Sequence, residues 1–125
     1  MLKIVGTEIK ITRGDSGIIP VSATNYDNTD YTFKVGDTVR FKVFKNKDCG
    51  CVVLQKDVEI KTETTIVNVE LTGADTRIGE LIIKPTEYWY EVELNPDTKP
   101  ETIIGYDEEG AKLFTLYPEG GDLND

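Results

Sequence analysis

Histidine is absent from the 125 residues of the chain, and tryptophan and methionine occur once each. The missing imidazole removes the side chain best matched to proton transfer near neutral pH. It also removes Ser-His and Cys-His nucleophile pairs and every histidine metal site. Catalysis would have to run on other groups, and the expectation is a protein that is not an enzyme. Long apolar runs are missing too. No stretch approaches the roughly 18 residues of a membrane-spanning helix. The opening Met1-Leu2-Lys3-Ile4-Val5 lacks the apolar core and small-residue cleavage site of a leader peptide, so synthesis and retention in the cytoplasm are expected.

Positive charge is in short supply. Fourteen Lys and Arg face 23 Asp and Glu, a net charge of −9. Phosphate backbones and anionic membranes are held by clustered cations, so neither nucleic acid nor membrane is an expected partner. The densest basic group, Lys42, Lys45 and Lys47, is followed directly by Asp48. A protein with a basic patch suits this balance better.

What the chain does have is alternation, the period of a half-buried strand. Val39, Phe41 and Val43 alternate with polar residues, as do Val67, Val69 and Leu71, and then Tyr88, Tyr90, Val92 and Leu94. The spacing points Val39, Phe41, Val43, Val67, Val69, Leu71, Tyr90 and Val92 into one core. Leu113–Tyr117 is apolar on both faces. Turn residues separate the runs. Arg13-Gly14-Asp15-Ser16-Gly17 divides a strand near Glu8–Thr12 from one near Ile18–Thr24. Val35-Gly36-Asp37-Thr38 is a tight turn that needs Gly36 for its backbone angle. Asn46–Gly50 caps a hairpin, Asn95–Pro100 closes another, and Asp107–Gly110 is expected to join Thr102–Tyr106 to Ala111–Tyr117 as a third. Thr72 and Asp75 have the spacing of a capping box, with room for a helical turn or two before Gly79. About eight short strands with one short helical turn predict an all-β fold, an antiparallel β-sandwich of immunoglobulin-like type. One domain spans 1–118, and 119–125 reads as a disordered C-terminal tail.

Few residues carry chemistry. Cys49-Gly50-Cys51 supplies two thiols where a tetrahedral metal site needs about four ligands, and a disulfide across one residue would be strained. Two reduced cysteines at a hairpin tip are expected; a redox pair or an inter-chain metal bridge is the alternative. Arg13-Gly14-Asp15 spells an integrin-ligand tripeptide but reads as a turn, with Gly14 supplying the angle and Asp15 a hydrogen bond. Asp27, Asn28 and Asp30, and Asp107, Glu108 and Glu109, offer oxygen ligands without a calcium-loop spacing, and read as solvated loops. No metal or cofactor is expected. Alternation sends Tyr88 and Tyr90 to one face and Trp89 to the other, with Glu91 and Glu93. Trp89, Glu91 and Glu93 are therefore the candidate partner-binding residues. The same residues leave open a carbohydrate-recognising module built on Trp89, or a glycoside hydrolase using a Glu pair.

The order of these pieces resembles a family of small tailed-phage and prophage proteins related to the N-terminal immunoglobulin-like domain of baseplate upper proteins. An R-G-D-[ST] turn is matched by Arg13-Gly14-Asp15-Ser16. A G-D-x-[VI]-x-[FL]-x-[VI] strand is matched by Gly36–Val43, an L-T-x-x-D-T turn by Leu71–Thr76, and Y-x-Y-[DE]-[IV]-x-L by Tyr88–Leu94. Thr102-Ile103-Ile104 and the Gly110–Phe114 segment match its close. The match runs from about Glu8 to Glu119. Lys84-Pro85-Thr86-Glu87 stands where the family usually has a Gly before the Tyr pair. The chain stops after this domain, which favours an accessory or connector role over direct adsorption to a host. The resemblance implies a virion structural protein of the tail or baseplate, made in the host cytoplasm and then built into the particle. Its partners would be other phage virion proteins, with further copies of itself in the assembly compatible with that role.

Overall fold

The period-two runs all become strands. The computed structural model describes residues 2–5, 8–25, 27–48, 50–79, 83–105 and 110–119. Among them, nine strands and one helical turn follow in order: β1 (Leu2–Val5), β2 (Glu8–Thr12), β3 (Gly17–Val21), β4 (Thr38–Phe44), β5 (Val52–Glu59), β6 (Val67–Leu71), α1 (Gly73–Thr76), β7 (Thr86–Leu94), β8 (Glu101–Ile104) and β9 (Lys112–Tyr117). The helical turn and the alternating strands agree with the all-β expectation, and β1 is an addition to it.

Two sheets form. The larger has the order β1-β2-β9-β7-β4-β5, with β8 also on β7. All its pairings are antiparallel except β2 with β9, which is parallel. The smaller sheet is the antiparallel pair β3 and β6. The chain changes sheet at the Arg13–Ser16 turn between β2 and β3. Ile19, Val21, Val67, Val69 and Leu71 of the small sheet share one buried cluster with Ile9, Ile11, Val39, Phe41, Val43, Tyr90, Val92, Phe114 and Leu116 of the large one. The molecule is thus a sandwich, and all eight residues assigned to its core from spacing are in that cluster. The aromatic centre is Phe41, whose ring lies 5.6 Å from Tyr90 and 6.2 Å from Phe114. Such tilted aromatic pairs stabilise a core beyond their buried area.

One expected hairpin is absent. The strands β8 and β9 do not pair with each other; both pair with β7. On one edge of β7, β9 covers Thr86–Tyr90 and β8 covers Val92–Leu94, while β4 occupies the opposite edge. At nine residues, β7 is long enough to hold two short strands in succession. Thus β8 and β9 lie end to end along β7, and Asp107, Glu108 and Glu109 of the expected hairpin turn lie outside the described residues. Of the expected tail, 120–125 lie outside as well, and Glu119 accepts a 3.4 Å hydrogen bond from Arg13.

Candidate protein-binding surface

Residues opposite one another across neighbouring strands share a face. Trp89 stands opposite Phe44 on β4 and opposite Leu113 on β9, and Phe44 stands opposite Val52 on β5. An apolar row thus crosses four strands on the outer face of the large sheet. Its members differ in depth: Phe44 is 3% exposed and Val52 49%, while Trp89 and Leu113 are half-buried. The buried positions of β7 are Tyr88, Tyr90, Val92 and Leu94, so Trp89, Glu91 and Glu93 share the outer face as their spacing predicts.

Those two glutamates are not free charges. Lys42, opposite Glu91 on β4, sends its ammonium to within 2.9 Å of Glu93 Oε1 and 3.6 Å of Glu91 Oε1. The same ammonium lies 5.7 Å from the centre of the Phe44 ring. Its hydrogen bond to Glu93 raises the Lys42 pKa above the ordinary value, against the effect of burial. Burial raises the Glu91 pKa, the neighbouring Glu93 charge adds to this, and Lys42 opposes it. Farther along β4, Arg40 donates to both oxygens of Asp57 at 2.9 and 3.0 Å, and to both of Asp97 at 3.2 and 3.0 Å. The forked guanidinium suits such paired contacts. The surface is an apolar row beside two clusters in which one cation holds two carboxylates. Sequence reasoning found Trp89, Glu91 and Glu93 and missed Phe44, Lys42 and Arg40. The signal lay in strand pairing, because cross-strand neighbours are distant in sequence.

The turn residues serve the framework. Arg13, Gly14 and Asp15 meet the α1 turn that Thr72 and Asp75 cap. Thr76, fully buried, accepts a 2.9 Å bond from the Gly14 N–H and donates a 2.7 Å bond to the Asp15 carbonyl. The approach is so close that a Cβ on Gly73 would sit 2.6 Å from the Gly14 oxygen. Arg13 also donates to the Gly79 carbonyl at 3.2 Å. The Thr72 side chain accepts from Asp75 N, and the Asp75 carboxylate accepts from Thr72 N at 2.8 Å and from Lys56 at 2.9 Å. This is the reciprocal capping box. Burial would raise the Asp75 pKa, but the bonds from Thr72 and Lys56 outweigh it and hold the carboxyl below its ordinary value.

A second knot forms at Gly36 and Asp37. Gly36 has φ +98°, and the Asp37 N–H donates to the Lys34 carbonyl at 2.9 Å, giving the tight turn. The Asp37 carboxylate accepts from the Tyr31 hydroxyl at 2.8 Å, Lys34 N at 2.9 Å and Asn95 Nδ2 at 3.1 Å. Asn95 Oδ1 in turn accepts from Thr38 N at 2.9 Å, which ties the β7–β8 turn to the start of β4. Burial raises the Asp37 pKa, yet these bonds outweigh it and lower the value overall. Burial and the Asp37 partner push the Tyr31 hydroxyl up to about 12.

The remaining candidates are simpler. Cys51 is exposed, and Cys49 lies outside the described residues. Asp27 accepts from Thr29, a local loop contact. A groove of about 370 Å³ opens where Ser22–Asn25 passes β8; its lining includes Tyr31, Leu94, Glu101, Thr102 and Ile103, and does not include Trp89, Glu91 or Glu93. No family model, curated protein or solved structure matches the chain.

Proposed function

We propose that the protein is a non-catalytic structural component of a tailed-phage or prophage virion, in the tail or baseplate, that binds other virion proteins. The observation that carries this reading is the packing of two of its resembling motifs on each other. The R-G-D-S turn and the L-T-x-x-D-T turn, far apart in sequence, are joined through Thr76 to Gly14 and Asp15. A third motif, beginning at Gly36-Asp37, is tied to the end of the Tyr88–Leu94 motif through Asn95. The motifs thus make up one framework, as parts of a single domain pattern would. The two sheets around one shared core are compatible with the sandwich architecture that the resemblance implies.

The Trp89–Phe44–Leu113 row supplies the docking face in this reading. A half-buried aromatic with a polar surround, as Trp89 is in this row, is a usual anchor of protein interfaces. Affinity purification of the tagged protein from phage-producing cells tests the proposal. Tail or baseplate proteins should co-purify with the wild type and be depleted by Trp89→Ala. Recovery of only host enzymes or glycans would overturn it.

A further inference from the structure

The groove beside β8 differs from the aromatic face in what borders it. Glu101, Thr102 and Ile103 are consecutive, as are Ser22, Ala23, Thr24 and Asn25. Neighbouring side chains on a strand point to opposite faces, so a groove lined by consecutive residues is bordered by the strand's edge, where the backbone groups lie. One edge of β8 is spent on β7. The other carries no backbone partner among the described residues. Across the groove, Ser22–Asn25 continues directly from the end of β3, and it is steadied by the Thr24–Asp30 bridge and by the Tyr31 N–H bond to the Ala23 carbonyl at 2.9 Å. Ala23, Leu94 and Ile103 give the groove an apolar part against the core. Its one charged lining residue is acidic, Glu101, on a chain of net charge −9.

We propose that this groove takes an extended, basic peptide segment of a protein partner, added as a strand to the open edge of β8. Main-chain hydrogen bonds to Glu101–Ile104 supply affinity, as in other complexes formed by strand addition. Alternate apolar side chains of the peptide enter toward Ala23, Leu94 and Ile103, and its cations meet Glu101. A glycan fits less well, because the groove is bordered by two runs of backbone and its one aromatic, Tyr31, has its hydroxyl committed to Asp37. The inference rests on the protein-binding reading above, and it gives the same partner a second contact surface, separate from Trp89.

The test is an amide-resolved NMR titration of the full chain with a synthetic decapeptide alternating Lys and Val. Two control peptides alternate Glu and Val, or carry N-methyl groups on alternate backbone nitrogens of the Lys-Val sequence. A maltohexaose arm covers the glycan. The Lys-Val peptide should give saturable shifts at Ser22–Asn25 and Glu101–Ile104. N-methylation should weaken it at least tenfold, and Glu101→Lys at least fivefold. Equal binding of the N-methylated peptide, shifts confined to the Trp89 face, or saturation by maltohexaose alone would overturn the proposal. A virion partner that binds Glu101→Lys as tightly as wild type would also overturn it, while leaving the broader protein-binding reading in place.

Discussion

Single residues carry the turns, and two of them make quantitative predictions. Gly36 sits at φ +98° with nothing within 4 Å of where a Cβ would be. Its substitution therefore costs backbone strain alone. Gly36→Val should lower stability by roughly 1–3 kcal/mol, the range for a bulky residue held in a sparsely populated conformation. An unchanged denaturation midpoint would show that the turn tolerates any residue. Asp37 and Asp75 have folded pKa values held below their ordinary 3.8. For such groups the stabilisation is fully present above the unfolded pKa and is lost as pH falls through the folded pKa. The melting temperature should therefore drop as pH falls below about 4. In Asp37→Asn that acid loss should be smaller, because one carboxylate no longer titrates. A mutant as acid-sensitive as wild type would remove Asp37 from the account. These positions were legible early: Gly-Asp in a turn and T-x-x-D before a break have local causes. The partners Asn95, Tyr31 and Lys56 were not, since they lie on other elements.

At the scale of elements, the α1 turn acts as a latch between the two sheets. Its cap and its buried Thr76 should act in one unit. Thr72→Ala should cost about 0.5–2 kcal/mol through the lost cap. Thr76→Val should cost roughly 1–3 kcal/mol, because the Gly14 N–H is left without its buried acceptor. The double mutant should lose less than the sum, as coupled neighbours do; strict additivity in urea denaturation would contradict the latch. Strand identity was readable from alternation in β4, β6 and β7, because each has one face in the core. Alternation says nothing about which edge a strand joins. That is why β8 and β9 were expected to pair and instead divide one edge of β7. The two-sided cover of β9 was legible for the same reason as the others: Phe114 and Leu116 are fully buried on one face, and Thr115 is 7% exposed on the other.

For the whole molecule, charge and surface decide what can bind. The net charge of −9 should speed encounter with a basic patch at low salt and slow it as salt rises. Lys42 and Arg40 already hold four carboxylates, so two of those four charges are locally compensated. Exposed pairs of this kind add little stability, but they shape where a partner's cations can land. In a surface-plasmon measurement on an identified partner, the association rate should fall with added salt. Trp89→Ala should instead raise the dissociation rate, with at least a tenfold loss of affinity, about 1.4 kcal/mol. A loss confined to association would place Trp89 outside the contact. The chain's fold was legible from its strand periods, whereas its surface was only half so: three residues of the face came from one strand, and the rest required the sheet. The most direct measurement of the virion role is the composition and form of particles from an induced lysogen lacking the protein, compared with a complemented strain. The account predicts the protein in purified wild-type particles, and defective tails with reduced infectivity in its absence. Particles that never contain it, with normal tails and full infectivity without it, would contradict the account.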